Sequence, residues 1–155
     1  AAQQAGIPAT PDFNRGNNEG VAYFEVNQKK GWRWNTAKAF LRPTCYGRPN
    51  VEIWTHAQVT RLLWQTLPDG RTRCSGVEVF DGHGMRQLSA HHSVVMCAGA
   101  IGTPQLLQLS GAGPAAALQA LGIPPVLDLP GVGANLQDHL QIRAVFKIQI
   151  GRAHV

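Results

Sequence analysis

Long apolar runs are missing from this 155-residue chain. No stretch of about 18 consecutive apolar residues occurs, so nothing in it reads as a membrane-spanning helix. Cysteine is scarce and poorly spaced for chemistry. Cys45, Cys74 and Cys97 are odd in number and form no CxxC pair. That argues against a zinc site and a disulfide framework, and points to a cytoplasmic or membrane-associated setting over a secreted one. Charge is sparse as well: 15% of residues are charged and the net charge is +5. The basic residues are scattered, Lys29-Lys30 is the only adjacent pair, and no basic helix face appears. A solvated, modestly basic surface is expected, and no nucleic-acid partner. The opening residues AAQQAGIPATPDFN lack an initiator Met, a basic n-region and an apolar core. They are expected to be the interior of a longer protein and no signal peptide. No repeat or low-complexity segment is visible. The 44% hydrophobic content allows one ordinary core and argues against disorder.

The most informative stretch covers residues 94–113, VVMCAGAIGTPQLLQLSGAG. The apolar run Val94, Val95, Met96, Cys97 ends in Ala98, Gly99 and Ala100, and Thr103-Pro104 then opens a new segment. This pattern predicts a buried strand starting at Ser93, a turn that lets backbone approach a neighbour closely, and a short helix. In that helix Thr103 is the expected N-cap, Pro104 the first helical residue and Gly111 the stop. Such a strand–turn–helix edge commonly receives a nucleotide-bearing cofactor, without specifying which.

Around it, residues 1–20 read as loop. GVAYFEV (20–26) has strand character and NQKKG ends it as a turn. A short helix is expected from Asn35, soon ended by Pro43. VEIWTHAQVTRLLWQT (51–66) predicts one or two strands. LPDG and DGHG are turns, with CSGVEVF (74–80) and MRQLSA (85–90) as the returning strands of an antiparallel meander. Ala115 to Leu121 forms a second short helix with Gly122 as its C-terminal signal. PVLDLPGVG gives a short strand and a glycine-rich loop, and IRAVFKI (142–148) is strand-like. The fold class is α/β.

Residues 111–116, GAGPAA, imitate a dinucleotide fingerprint, with Asp128 as a tempting ribose ligand. Mechanism argues against it. The fingerprint needs a preceding strand, whereas residues 103–110 carry helix signals. Pro114 removes an N–H where amides should cradle pyrophosphate. The glycines are expected to permit a turn between helices. The histidines offer no metal site: His91 and His92 point to opposite faces of an extended chain, and His56, His83 and His139 lack partners at ligand spacing. Trp32 and Trp34 read as packing aromatics.

GAIGTPQLLQLSGAG (99–113) closely resembles the second signature of the glucose-methanol-choline (GMC) family of flavin-dependent oxidoreductases, at Gly99, Ala100, Thr103, Pro104, Leu106, Leu107, Ser110, Gly111 and Gly113. Ala112 departs, standing where the family usually has a larger aliphatic residue. TAKAFLRP (36–43), RPNVEIWTHAQVTRLL (48–63), SGVEVF (75–80), LGIP (121–124) and LPGVGANLQDHL (129–140) follow in the family's order and resemble its choline-dehydrogenase branch. The resemblance runs from about Gly16 to Phe146.

The resemblance implies a partial FAD-binding domain of GMC type with an antiparallel β-meander and part of a substrate domain. Its expected division is 1–50 in the substrate or cap region, 51–138 in the central FAD-binding domain, and 139–149 at the start of the substrate domain. The final IGRAHV (150–155) matches one reading-frame translation of a widely used DNA-sequencing adapter and is expected to be non-native, a natural end being the alternative. By resemblance Val59 meets the adenine ring through its main chain, Ala98-Gly99 lies alongside the adenosine half of FAD, and Asn135 approaches the flavin. From the residues alone, Ala98-Gly99 serves equally well as a packing turn and Val59 as a core valine. No histidine here matches the family's catalytic one, so no catalytic residue is assigned. The implied activity is hydride transfer from an alcohol to FAD, with a carrier or dioxygen as electron acceptor. The chain alone is expected to be inactive. A GMC-family lyase and a small non-catalytic stand-alone domain are the competing readings.

Overall fold

A computed structural model describes residues 1–142. The strand-like 142–148 segment, most of the expected 139–149 region and the IGRAHV tail lie outside the described residues, apart from residues 139–142. Two compact units are present: Ala1–Ile53 and a second beginning at Trp54.

The first unit has no buried residue. Its 20–26 segment does not become a strand. Only Val21 pairs, in a parallel bridge to Ala9, while Tyr23 is 98% exposed. Strand propensity without a neighbouring strand or an apolar surface to pack on yields extended chain only. The following NQKKG does more than turn. It folds as a hairpin, β1 (Gln28–Lys29) against β2 (Trp32–Arg33), with Lys29 opposite Trp32. Lys30 and Gly31 at the tip both take positive φ, 52° and 76°, as the favoured two-residue hairpin turn requires. Lys29 and Lys38 lie over the Trp34 and Trp32 rings at 5.1 and 5.7 Å. The helix after Asn35 forms, but as a widened π turn (Ala37–Leu41) running into α1 (Arg42–Thr44). Pro43 lies inside it instead of ending it. A proline lacks its N–H and crowds the carbonyl four residues back, and the wider turn absorbs both defects.

The second unit is built on the predicted meander: β3 (Gln58–Thr66), β4 (Thr72–Phe80) and β5 (Met85–Ser89), antiparallel in that order. Residues 51–57 do not join β3. Thr60 is an extra residue in β3, between the Val59–Val79 and Arg61–Glu78 pairs. Its hydroxyl donates to the Glu78 carbonyl at 3.2 Å. At the first turn Leu67 N–H donates to Arg71 C=O. At the second, Asp81 Oδ1 accepts from the His83 and Gly84 amides, both at 3.0 Å.

The run 94–97 corrects the expectation of a buried strand. Val94 and Met96 are half-buried and Val95 is 79% exposed, so the two-fold alternation of a strand persists. No strand pairs with it among the described residues. A buried strand needs neighbours for its amides and carbonyls, and here none is supplied. The helix after it, α2, also starts earlier than expected, at Gly99, and runs to Leu109. Ala98 is the N-cap, without a side-chain cap bond, and Thr103 and Pro104 lie inside the helix. Residues 99–102 wind one more turn ahead of Thr103, and only one bond is lost to Pro104 near the beginning. Gly111 ends α2 as predicted, at φ 85°.

Between α2 and α3 (Ala115–Ala120) stands a short strand rather than a plain turn. β6 (Ala112–Gly113) pairs in parallel with β7 (Leu127–Asp128). α3 closes as expected: Gly122 takes φ 73°, its N–H donates to Gln119 C=O, and Ile123 N–H reaches back to Leu118 C=O at 2.9 Å. The buried residues of the described chain are Leu62, Gly76 and Val79 in the meander, Ser110, Gly111, Ala112 and Gly113 in the α2–β6 link, and Leu118 on α3. The core therefore sits where the C-terminal end of α2 meets the sheet.

Candidate functional site

β3 is an edge strand: β4 covers one side, and among the described residues no strand pairs with the other. α2 packs against this sheet, and a cavity of about 430 Å³ opens between them. Its walls are Val59 and Leu62 from β3, Val77 from β4, the extended run 94–98, and Gly102, Gln105, Leu106 and Leu109 from α2. Gln58 completes the lining, and no charged side chain takes part. The Val59 carbonyl accepts from the Gln58 amide nitrogen at 3.0 Å. Behind the Thr60 bulge, Glu78 bonds Arg61 at 3.0 Å and Thr60 Oγ1 at 3.1 Å. The Arg61 bond is the main cause holding its carboxyl below the usual carboxylate range.

The structure brings two of the four sequence-predicted site residues, Val59 and Ala98, into this one cavity. Gly99 is next in the chain, at φ 84° with open space where a Cβ would stand, so its glycine character serves conformation rather than clearance. Asn135 lies elsewhere. It lines a second groove with Ala100, Pro104, Gln108 and Gly133, and it holds a left-handed conformation at φ 55°. Gln105 borders both spaces, so α2 is the partition between them.

The GAGPAA segment has no free phosphate cradle. Gly111, Ala112 and Gly113 are enclosed in the core. The Ala115 amide, at the start of α3, already donates to Asp128 Oδ1 at 3.0 Å. The Asp128 carboxylate, the tempting ribose ligand of the sequence, instead caps the helix beside it. Among the described residues no group of three His, Cys, Asp or Glu side chains is arranged to hold a metal, and no helix is long and apolar enough to cross a membrane.

Two residues that shape the site were not singled out for a role in the sequence. Ser110 Oγ accepts from Leu62 N–H at 2.8 Å and donates to Leu106 C=O at 2.6 Å. Gln108 threads between Gly113 and Gly133 and donates from Nε2 to Val132 C=O at 3.2 Å, pinning the loop that carries Asn135. The available signal was polarity out of place: a glutamine and a serine in the otherwise apolar LLQLSG.

A family model described as GMC oxidoreductase matches residues 1–141. The chain belongs to the GMC oxidoreductase family, whose N-terminal domain is its FAD-binding domain. It is 48% identical over 143 residues to an oxygen-dependent choline dehydrogenase of Burkholderia ambifaria, covering 92% of this chain and 24% of that protein. It thus spans about a quarter of that curated relative's length. Among solved structures, pyridoxine 4-oxidase from Mesorbium loti superposes with a TM-score of 0.71 at 32% identity, over 83% of this chain and 24% of the oxidase. An FAD-dependent oxidoreductase from Chaetomium thermophilum gives 0.52 at 39% identity, over 58% of this chain and 15% of that one.

Proposed function

We propose that this chain is the central part of an FAD-dependent alcohol oxidoreductase, with the adenosine half of FAD seated between β3 and α2. The observation that carries this reading is the meeting of Val59 and Ala98 in one uncharged cavity beside a strand edge. An adenine ring is planar and uncharged. Apolar walls to stack on and a main chain to read its edge suit it, where a phosphate would need cations or free amides. In this reading the Val59 N–H and C=O pair with the ring. Ala98 keeps bulk away from the ribose, Gly99 sets the turn beside it, and Asn135, across α2, belongs to the flavin end.

When bound, FAD supplies the hydride acceptor. The residues of this chain bind and orient the cofactor, and none of them is assigned the substrate's proton. Given the name of the Burkholderia relative, a choline-like primary alcohol is the proposed donor, and dioxygen or a carrier the acceptor. Residues 51–138 form the central FAD-binding part, with 1–50 and 139–149 in the substrate region. The compact-unit boundary after Ile53 supports the first of these divisions.

The test is Ala98→Leu in the full-length parent protein. Loss of flavin from the purified variant, with folding retained by circular dichroism, is expected; a wild-type flavin content would overturn the placement. The 155-residue chain alone, mixed with FAD and choline, is expected to show no flavin bleaching.

A further inference from the structure

We infer that Ser110 is a positioning residue, setting the spacing of the cavity walls through one buried hydroxyl and thereby the affinity for the adenosine half of the cofactor. The inference rests on the reading of that cavity given above. Ser110 is 7% exposed and lies at the C-terminal end of α2. Its hydroxyl takes the Leu62 N–H from β3 and gives its own proton to the Leu106 carbonyl of α2. Leu62 and Leu106 both line the cavity, one from each wall. A third tie runs from Trp64 Nε1 to the Ser110 carbonyl at 2.5 Å. Two bonds thus tie β3 to Ser110, a third anchors its hydroxyl to its own helix, and Val59 lies three residues along the same strand, about 10 Å away.

The chemistry explains why serine stands there. Alanine removes an acceptor from the Leu62 N–H and leaves it buried without a partner, which the sheet relieves by shifting away from α2. Threonine keeps both hydroxyl bonds and adds only a methyl. A wall displaced at Leu62 is carried along the strand to Val59, where the adenine edge is read through main-chain atoms that tolerate little change in distance.

The experiment uses apoprotein prepared from the full-length parent, with ADP as probe for the adenosine half and FMN as probe for the flavin half, both followed by calorimetry well below the unfolding temperature. Ser110→Ala is expected to weaken ADP about tenfold and leave FMN within twofold. Ser110→Thr is expected to restore ADP binding to within about twofold of wild type. Should Ser110→Ala fail to fold, Trp64→Phe removes only the third tie and is expected to weaken ADP about threefold. A Ser110→Ala protein with a lowered unfolding temperature and unchanged ADP affinity would overturn the inference, leaving the serine a structural tie only. So would equal weakening of ADP and FMN. Ala98→Leu in the same assay separates the two readings. If it abolishes ADP binding while Ser110→Ala does nothing, the positioning role alone falls. If it leaves ADP binding intact, the cavity is not the adenosine site and both fall.

Discussion

Replacing Gly113 by alanine places a methyl 2.9 Å from Cγ of Gln108, well inside the 3.5–4.0 Å at which carbon atoms rest. Gly113 is enclosed and its φ lies outside the left-handed region, so conformational strain adds nothing and overpacking is the cost, about 1–3 kcal/mol. Gln108 cannot swing away freely, because its amide is held against Gly133 by the bond to Val132 C=O. Gln108→Ala by itself loses that bond, about 0.5–1.5 kcal/mol, and some packing. It also vacates the volume that the Gly113 methyl needs. The two substitutions should therefore be sub-additive, the double variant being about 1 kcal/mol more stable than the sum of the singles. Gly133→Ala is the internal control. Its methyl would meet Gln108 Nε2 at 2.6 Å, but φ is 82°, so removing Gln108 relieves the clash and leaves about 1–2 kcal/mol of backbone strain. Urea denaturation of the full-length protein, read through a probe local to this loop, gives the cycle. Additivity of Gly113→Ala and Gln108→Ala within about 0.5 kcal/mol would refute the threading of Gln108 between the two glycines.

Gly76→Ala should release β5. Its methyl would overlap the Leu88 carbonyl oxygen, a backbone atom fixed by the Gly76–Ser89 pairing. The cost is about 3 kcal/mol, and fast hydrogen exchange across Met85–Ser89 would report it, whereas slow exchange would contradict the close approach. Asp81 accepts from the His83 and Gly84 amides and pairs with Arg86 at 2.6 Å, and the His83 bond is the main cause depressing its pKa. A depressed carboxyl stabilises above its unfolded value, about 3.9, and that contribution is lost as pH falls through the lower folded pKa. Carboxyl carbon shifts at Asp81 should therefore titrate below the ordinary aspartate range, and Asp81→Asn should remove that part of the acid dependence; an ordinary titration would show that the turn bonds do not hold the charge.

Legibility in the sequence followed the range of the interactions. The meander was readable because LPDG and DGHG fix their turns locally and the strands between them alternate. The stop of α2 at Gly111 was readable because a left-handed residue is needed there and only glycine takes it without strain, the added demand being that a Cβ would meet Pro124 C=O at 2.7 Å. The start of α2 was misread because Thr103-Pro104 carries every local mark of a helix beginning, and nothing local shows that residues 99–102 wind one turn earlier. Residues 20–26 and 94–97 were misread for a related reason. Their composition states a preference for strand, but pairing is a property of what lies beside them. Of the candidate site, Val59 is an ordinary strand valine that family resemblance alone singled out. Ala98 stands in a turn that the local pattern marked, where packing and cofactor contact were equally served until resemblance favoured the second.

The GMC signature itself divides along α2. At its N-terminal end Gly99 follows Ala98, which stands at the cavity just before the signature; at its C-terminal end Ser110, Gly111 and Gly113 are buried in the core, tied to β3, β7 and Gln108. Those three of the nine matched positions of a motif that identifies a cofactor-binding family therefore touch no candidate ligand surface. Their restriction comes from the close approach of backbones and from one buried hydroxyl. On the Ser110 inference, a change that loosens the core end shifts the β3 wall of the cavity at Leu62 and Val59. That is why the ADP and FMN affinities of Ser110→Ala are the measurements by which the packing role and the cofactor role of this motif are told apart.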